Sequence, residues 1–323
     1  MPDSPPTFPG YDSVAFHARG GSAIVWKARQ ISLDRDVAIK QLRPDLCGGD
    51  DDVDMFLAEA RALGKMSHPN IVRCIDAFHR DNRFCFVMEF IERGTVAETV
   101  AQNGRLSERE CLAVATAVAS ALGYAWARHD SVHCDIKPAN IMVAEDNSLK
   151  ITDFGISRSL AKLRGNSGRD APAPGDEIEV FGTPNYMAPE QVAGAQTLGP
   201  QCDMYSLGAT LYYCAAGWKL FHDLDEDAAM DAQITGRSPD LADFVPDVSL
   251  PFCAFIEKLL AKNPADRHGS WDDVAAEIAE IGNGNYGSAA TFAAPSTIAR
   301  GAARPPPPKP GFFERTKKFL SAK

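Results

Sequence analysis

The amino-acid sequence predicts an α+β protein in which a strand-rich segment precedes a mostly helical one. Residues 11–90 contain short runs of β-branched and aromatic residues, at Ile24–Ala28, Val37–Lys40 and Arg83–Met88, which are typical of strands. After Arg93 the apolar residues recur at helical spacing instead. The chain has 323 residues, 45% of them hydrophobic, and can bury a core as one large domain or two small ones.

Helices are predicted from apolar periodicity and from capping residues. One helix lies within the strand-rich segment, over about residues 54–66, where Phe56, Leu57, Ala60 and Leu63 follow the 3.6-residue period. Ser107 and Glu110 form a capping box, which predicts a long helix from there to about His129. Further helices are expected over residues 203–216, 251–261 and 271–281.

Both ends of the chain have a composition unlike that of the middle. Residues 1–10 are rich in proline and are predicted to be disordered, and residues 283–311 form a predicted Gly/Ala/Pro-rich linker. Residues 312–323 combine four apolar residues with basic ones, which predicts a basic amphipathic tail. Such a tail suits a partner groove or an anionic membrane surface, and an unfolded solubilising tail is the alternative.

Charge and cysteine content narrow the classes of function and the compartment. The net charge of −10 argues against general affinity for nucleic acid, although residues 300–323 carry +6. Eight cysteines without a C-x-x-C pair indicate reduced thiols, and the early prolines exclude a signal peptide. The apolar stretch Cys111–Ala127 is too short and too interrupted to span a bilayer. We therefore expect a cytoplasmic protein.

The most informative run is His133-Cys134-Asp135-Ile136-Lys137-Pro138-Ala139-Asn140, followed by Asp153-Phe154-Gly155. It supplies two carboxylates, a lysine and an amide, the groups needed to hold Mg-ATP and orient a hydroxyl for attack on the γ-phosphate. Val37-Ala38-Ile39-Lys40 precedes it and Ala188-Pro189-Glu190 follows it. Over roughly residues 11–280, these motifs resemble those of the Ser/Thr protein kinase family, in family order.

The resemblance implies a two-lobed protein kinase fold and a phosphotransferase function. A β-rich N-lobe with one main helix would cover residues 11–90, and a helical C-lobe residues 91–282. The implied activity is transfer of the ATP γ-phosphate to serine and threonine hydroxyls of protein substrates, in signalling. Kinases of this type often pair to phosphorylate each other, so self-association for autophosphorylation is a further expectation that no motif requires.

The resemblance also assigns roles in catalysis. Asp135 would be the catalytic base or the residue that orients the acceptor hydroxyl, and His133 a structural residue. Lys137 would neutralise the transferring phosphate, at a position where tyrosine kinases usually differ. Asn140 and Asp153 would be the two protein ligands of Mg²⁺, a hard cation that prefers oxygen donors.

For ATP, the resemblance implies residues from three segments. Lys40 would bind the α- and β-phosphates and pair with Glu59 on the predicted helix. Met88, as gatekeeper, and Glu89 and Ile91 would form the hinge to adenine, whose ring would lie between the apolar side chains of Val25, Ala38 and Met142. The phosphate loop would comprise Ala18, Arg19, Gly20, Gly21, Ser22, Ala23 and Val25.

The phosphate loop departs from the family pattern G-x-G-x-x-G-x-V. Gly20 is the one glycine of the three that remains, because Ala18 and Ala23 occupy the outer positions. Both alanines are small enough to let backbone N–H groups approach phosphate oxygens. An ordinary hairpin turn is the alternative interpretation of this segment.

A second departure is Cys134, which stands where the family motif H-R-D has arginine. In kinases that keep the arginine, a phosphorylated activation loop neutralises its charge and orders the site. Without that cation there is no charge waiting for a phosphate. The hypothesis is that the protein is active without this switch.

The segment Gly182–Glu190 resembles the substrate-docking loop of Ser/Thr kinases. By that resemblance Thr183 would hydrogen-bond toward Asp135 and Lys137, and Glu190 would form a buried ion pair with Arg267. Asp203 would brace the backbone of the catalytic loop.

Two other functions compete with an active protein kinase. A pseudokinase scaffold that binds nucleotide is favoured by Cys134 and the lost glycines, and opposed by intact Lys40, Asp135, Asn140 and Asp153. A small-molecule kinase of the aminoglycoside or choline type would share the H-x-D-x-x-x-x-N loop, and the docking segment opposes it.

Overall fold

The computed structural model describes residues 5–21, 23–43, 56–57, 60–80, 83–154 and 183–286. The chain divides into two compact units, Met1–Glu92 with Phe154–Glu179 and Arg93–Asp153 with Val180–Lys323. The first unit contains the main sheet and the second most of the helices, which confirms the α+β class. Ser22, Glu59, most of the predicted linker and the tail lie outside the described residues.

The first unit is built on a five-stranded antiparallel sheet with strand order β1-β2-β3-β5-β4. The three strands predicted by name fall within β2, β3 and β5. The strands are β1 (Tyr11–Arg19), β2 (Ala23–Gln30), β3 (Arg35–Leu42), β4 (Cys74–Arg80) and β5 (Arg83–Glu89).

The two faces of this sheet bury different clusters, because side chains alternate along a strand. One face carries Trp26, Ile39 and Val87, which pack with Phe8 and Tyr11. The opposite face packs at one end on a helical segment, through Ala23, Leu42, Phe84 and Phe86 against Phe56 and Ala60. Residues 56–57 and 60–64 are helical and fall within the helix predicted over 54–66.

The second unit contains seven α-helices among its described residues, together with a two-stranded sheet. The helices are α1 (Val96–Asn103), α2 (Glu108–His129), α3 (Pro189–Val192), α4 (Pro200–Ala216), α5 (Glu226–Thr235), α6 (Leu250–Leu259) and α7 (Trp271–Tyr286). The strands are β6 (Ile141–Val143) and β7 (Leu149–Ile151).

Helix α2 begins at the predicted capping box. The Ser107 hydroxyl accepts the amide of Glu110 at 3.4 Å, and the Glu110 carboxylate accepts the amide of Ser107 at 2.8 Å. By length and composition alone α2 could cross a membrane, but 61% of its most apolar stretch is buried inside the structure. Since α2 packs on α4 and α7, core packing accounts for its apolar composition.

Helix α4 is buried on almost every side, as expected of the central helix of a helical unit. It carries Asp203 in its first turn and Gly208 in its middle. A Cβ added at Gly208 would lie 2.8 Å from the Cβ of Leu259, so glycine permits the close approach of α4 and α6.

One observed boundary differs from the boundary that the sequence predicts, and some helices were not predicted. Helix α7 continues to Tyr286, past the expected start of the linker at residue 283, because Gly282 and Gly284 extend a helix already anchored by its buried residues. Helices α1 and α5 had no prediction of their own. Helix α5 buries just Ala229 and Gln233, so it lacks an apolar stripe, whereas α1 begins at a capping box, Thr95 with Glu98, that could have been found.

We expect Gly208→Ala to lower the free energy of unfolding by about 1–3 kcal/mol, because the added methyl group would overlap the Leu259 side chain. Urea denaturation measures this value. Gly282→Ala is the matched control, since its Cβ would meet nothing within 4 Å and alanine favours a helix. Equal stability of the two variants would contradict the tight α4–α6 packing.

Candidate active site

One buried carboxylate binds the backbone of the catalytic loop, residues 133–140. Asp203 is 1% exposed, and its two oxygens accept the backbone amides of His133 and Cys134, each at 2.7 Å. Cys134 has a φ of +65°, in the left-handed region that non-glycine residues seldom adopt. Successive amides in such a conformation converge on one anion. The predicted brace by Asp203 is confirmed.

His133 is fully buried, and both nitrogens of its ring hydrogen-bond within the unit. Its Nε2 lies 2.9 Å from the carbonyl oxygen of Thr152, to which it donates, so Nδ1 accepts the amide of Asp135 at 3.2 Å. The ring thus ties the catalytic loop to the segment that leads to Asp153. These bonds support the structural role expected for His133.

Asp135 lies in a compact polar cluster with the predicted catalytic lysine. Its Oδ2 is 2.7 Å from the Lys137 ammonium, and its Oδ1 accepts the Thr183 hydroxyl at 3.2 Å. Lys137 also donates to the Thr183 hydroxyl at 2.6 Å. The bonds predicted for Thr183 are therefore confirmed. A carboxylate, an ammonium and the second residue of the docking segment therefore lie within hydrogen-bond distance of one another.

Asn140 has an orientation that suits a metal ligand. Its amide nitrogen donates to the carbonyl oxygen of Asp135 at 2.8 Å and to Asp135 Oδ2 at 3.0 Å, which directs Oδ1 away from Asp135. The amide of Thr152 donates to the Asn140 carbonyl at 3.0 Å, so the backbone that leads to Asp153 is bonded to Asn140. Mg²⁺ prefers oxygen ligands such as those of amide and carboxylate groups, so the side chains of Asn140 and Asp153 fit this ion.

Cys134 leaves the position beside Asp135 buried and neutral. Its side chain is 5% exposed, and its thiol, that of Cys202 and the Asp203 carboxylate lie within 4.8 Å of one another. A hydrogen bond between the Cys202 and Cys134 thiols, together with burial, raises the pKa of the Cys202 thiol. Gln191 donates to the Cys134 carbonyl at 2.9 Å. The backbone of Cys134 is thus bonded by the Asp203 carboxylate and the Gln191 amide, at a position where the family pattern has a cationic side chain.

The end of the docking segment is fixed by the predicted ion pair. The Arg267 guanidinium, whose side chain is fully buried, binds both oxygens of the Glu190 carboxylate, at 2.7 and 2.9 Å. It also donates to the carbonyl oxygens of Gln201, Ala261 and Lys262. A bidentate ion pair whose remaining N–H groups are also hydrogen-bonded fixes the orientation of both side chains. Removing one partner of such a buried pair typically lowers the free energy of unfolding by about 3–5 kcal/mol.

Lys262 is a half-buried lysine that sequence reasoning did not single out, although it directly precedes Asn263-Pro264-Ala265-Asp266-Arg267. Its ammonium donates to the Tyr205 hydroxyl at 2.8 Å and lies 5.2 Å from the centre of that ring. Burial, and secondarily the charge of Arg267, lowers the pKa of Lys262 to about 7.

Several of the predicted nucleotide residues of the first unit share one face of its sheet. Val25 pairs with Ala18 on one side and with Lys40 on the other, and Ala38 pairs with Met88. Residues directly opposite in an antiparallel pair, and residues two apart in one strand, point to the same side. Lys40 is 5% exposed on this face, beside the cluster that packs on the helical segment.

The predicted phosphate loop forms the turn between β1 and β2. The amide of Gly20 donates to the carbonyl of Ala23 at 2.9 Å, and Arg43 donates to the carbonyl of Gly21 at 2.9 Å. Arg19 is exposed, whereas Ala23 is buried in the core. A hairpin turn is expected both for a phosphate-binding loop and for an ordinary connection between two strands. Phosphate binding by Ala18–Ala23 therefore stays a prediction.

The remaining predicted residues lie in three places. Glu89 accepts the amide of Arg73 on its carboxylate at 2.8 Å, and its own amide donates to the Arg73 carbonyl, so β5 and the segment before β4 fix the hinge. Ile91 is buried within the first unit, and Met142 lies on β6 in the second. Ser22 and Glu59, with the Lys40–Glu59 pair, lie outside the described residues.

Comparisons with known proteins agree with this geometry. The family model described as "Protein kinase domain" matches residues 18–286. The chain is 31% identical over 259 residues to the serine/threonine-protein kinase PrkC of Bacillus subtilis, covering 80% of this chain and 38% of that protein. It is 32% identical over 274 residues to PknB of Mycolicibacterium smegmatis, covering 82% and 42%. The chain thus spans about two fifths of the length of these relatives.

A solved structure gives the same answer for the fold. The kinase domain of PknI from Mycobacterium tuberculosis superposes with a TM-score of 0.67 at 26% identity, over 86% of this chain and 98% of that one. Fold and site define a eukaryotic-like Ser/Thr protein kinase domain. The chain belongs to the protein kinase family. This match overturns the alternative of an aminoglycoside- or choline-type kinase.

We expect the stability contribution of Lys262 to depend on pH. The unfolded chain keeps its ordinary pKa of 10.5, whereas the folded pKa is about 7. Between these values the unfolded state binds one proton more, so stability rises with pH. The free energy of unfolding of the wild type should therefore rise relative to that of Lys262→Met by about 1–2 kcal/mol between pH 7 and 8.5.

Urea denaturation of both proteins at several pH values measures this difference. Lys219→Met, which removes an exposed lysine of the same unit, is the control. A difference between Lys262→Met and wild type that stays constant with pH would contradict the depressed pKa.

Proposed function

We propose that this chain is an active Ser/Thr protein kinase that transfers the γ-phosphate of ATP to hydroxyl groups of protein substrates. The observation that carries the proposal is the cluster of Asp135, Lys137 and Thr183, in which each side chain bonds to the other two. A scaffold has no need to keep such a cluster. The family membership and the Ser/Thr kinases among the relatives support the same activity.

Each residue of the cluster has a distinct task in the proposed reaction. Asp135 aligns the acceptor hydroxyl and accepts its proton, because it is the carboxylate at the point where the docking segment begins. Lys137 stabilises charge on the phosphoryl group during transfer. Thr183 fixes the positions of the Asp135 and Lys137 side chains through its hydrogen bonds to both. Phosphoryl transfer depends mainly on positioning and electrostatics, so these short bonds are its main protein contribution.

The proposal includes ATP as phosphate donor and Mg²⁺ as cofactor. Lys40, Val25, Ala38 and Met88 would bind the nucleotide from one face of the first unit's sheet. Asn140 Oδ1 and the Asp153 carboxylate would hold the metal. When bound, Mg²⁺ neutralises phosphate charge, and the chain's part is to present these oxygens in a fixed arrangement.

The proposed partners are protein substrates in the cytoplasm. A second copy of the chain is a candidate substrate, since the segment between Asp153 and Glu190 contains serines at positions 157, 159 and 167. The basic tail, residues 312–323, is proposed as a weak contact for a partner or a membrane surface. Its four basic residues against one acidic residue, Glu314, give a net charge of +3, which supports that contact through attraction to an acidic surface.

The presence of Cys134 in place of arginine bears on how the proposed kinase activity is regulated. The buried neutral thiol offers no cation for an activation-segment phosphate, and Asp203, rather than an added phosphate, orders the backbone at this position. We therefore expect activity without prior phosphorylation. The second candidate, a scaffold that binds nucleotide without turnover, draws its support from the lost glycines at positions 18 and 23.

The test uses the full chain, first treated with phosphatase and freed of it, then incubated with Mg-ATP and casein. We expect phosphate on casein or on the chain itself, detected by intact mass, and no lag in its appearance. Asp153→Ala removes a metal ligand and should lower the rate at least 100-fold. Mapping the modified residues tests the serine and threonine specificity.

Two results would contradict parts of this proposal. No incorporation into either protein would favour the scaffold. Incorporation by the untreated chain that is largely lost after phosphatase treatment would show that a phosphate switch is needed despite Cys134.

A further inference from the structure

One side chain on α5 reaches the docking segment although its helix lies mostly on the surface. Gln233 is fully buried, and the other buried residue of α5 is Ala229. A buried amide group is costly unless both of its ends are hydrogen-bonded. The Gln233 amide nitrogen donates to the carbonyl of Pro184 at 3.1 Å, and its carbonyl oxygen accepts the Tyr205 hydroxyl at 2.5 Å.

The orientation of this amide is dictated by its neighbours. The Pro184 carbonyl can only accept a hydrogen bond, so the NH2 group of Gln233 must face it. The Tyr205 oxygen already accepts from Lys262 at 2.8 Å, which leaves its proton for Gln233. Burial raises the pKa of Tyr205, so the hydroxyl keeps that proton. The chain of donors therefore runs in one direction, from Lys262 through Tyr205 and Gln233 to Pro184.

Pro184 is the next residue after Thr183 and begins the 3-10 turn Pro184–Tyr186. Proline has no N–H group, so its carbonyl is the backbone group through which this residue can be anchored. Thr183 in turn bonds to Asp135 and Lys137. Gln233 thus fixes the backbone directly beside the residue that contacts the proposed catalytic cluster.

We propose that Gln233 is a positioning residue for phosphate transfer, which holds Pro184 so that Thr183 stays bonded to Asp135 and Lys137. This inference rests on the proposed kinase function and deepens it. The role of Gln233 concerns the acceptor side of the reaction, because its partners all belong to the docking segment and to α4. ATP binding does not depend on it.

The test compares phosphate transfer to casein by the wild type and by Gln233→Met, a variant of similar size that loses both hydrogen bonds. We expect kcat/KM for casein to fall about tenfold, the effect of one or two lost hydrogen bonds. The Kd for Mg-ATP, measured by fluorescence, should change less than twofold. Thr235→Val removes a hydroxyl on the same helix that donates to the Asp231 carbonyl, and this variant should match the wild type in both.

A second variant separates the two bonds of Gln233. Gln233→Glu keeps an acceptor for Tyr205 but loses the donor to Pro184, so it should lose at least as much activity as Gln233→Met. Wild-type rates in Gln233→Glu would overturn the inference, since the bond to Pro184 would then be dispensable. Should Gln233→Met fail to fold, Gln233→Glu alone decides, with its folded fraction confirmed by thermal unfolding.

The remaining outcomes are also distinct. A lower melting temperature with unchanged kcat/KM per folded molecule would show a purely structural role and overturn the inference. Equal loss of casein phosphorylation and Mg-ATP binding would do the same. A wild type that phosphorylates nothing would overturn the proposed function, and this inference with it.

Discussion

The site depends on one interaction, the capture of two consecutive backbone amides by the carboxylate of Asp203. Backbone N–H groups at a left-handed residue such as Cys134 are costly to bury unless an acceptor takes them. A carboxylate can accept both at once, and hydrogen bonds from an N–H group to a charged acceptor are stronger than those between neutral groups. The position of Asp135 follows, because it comes directly after the two amides that Asp203 holds.

Helix α4 extends this control beyond the catalytic loop. Within one turn, α4 carries Asp203, which binds the catalytic loop, and Tyr205, which is linked to the docking segment through Gln233. Further along α4, the Thr210 hydroxyl donates to the Ile136 carbonyl. The Arg267–Glu190 pair closes the docking segment at its other end, and Arg267 lies over the Tyr205 ring. Since α4 is buried on almost every side, the groups it carries cannot shift independently.

Much of this arrangement could be predicted from motifs, and the rest could not for physical reasons. The capping box of α2 follows from residue types at a fixed spacing. The bonds of Thr183, the Glu190–Arg267 pair and the brace by Asp203 were expected from the resemblance to the kinase family. Gln233 carried no signal, because a polar residue in a polar helix is normally exposed. The left-handed conformation of Cys134 accompanies a bond from its amide to Asp203, 69 residues away, which no local pattern encodes.

The most direct test of the account is the kcat for phosphate transfer to casein by Asp203→Asn. Asparagine keeps the shape and one carbonyl acceptor, but its NH2 group would face one of the two backbone amides, which then loses its partner. If Asp203 positions the catalytic loop, kcat should fall at least tenfold in protein that remains folded, while the Kd for Mg-ATP stays near that of the wild type. A variant with wild-type kcat would contradict the claim that this carboxylate holds the site together.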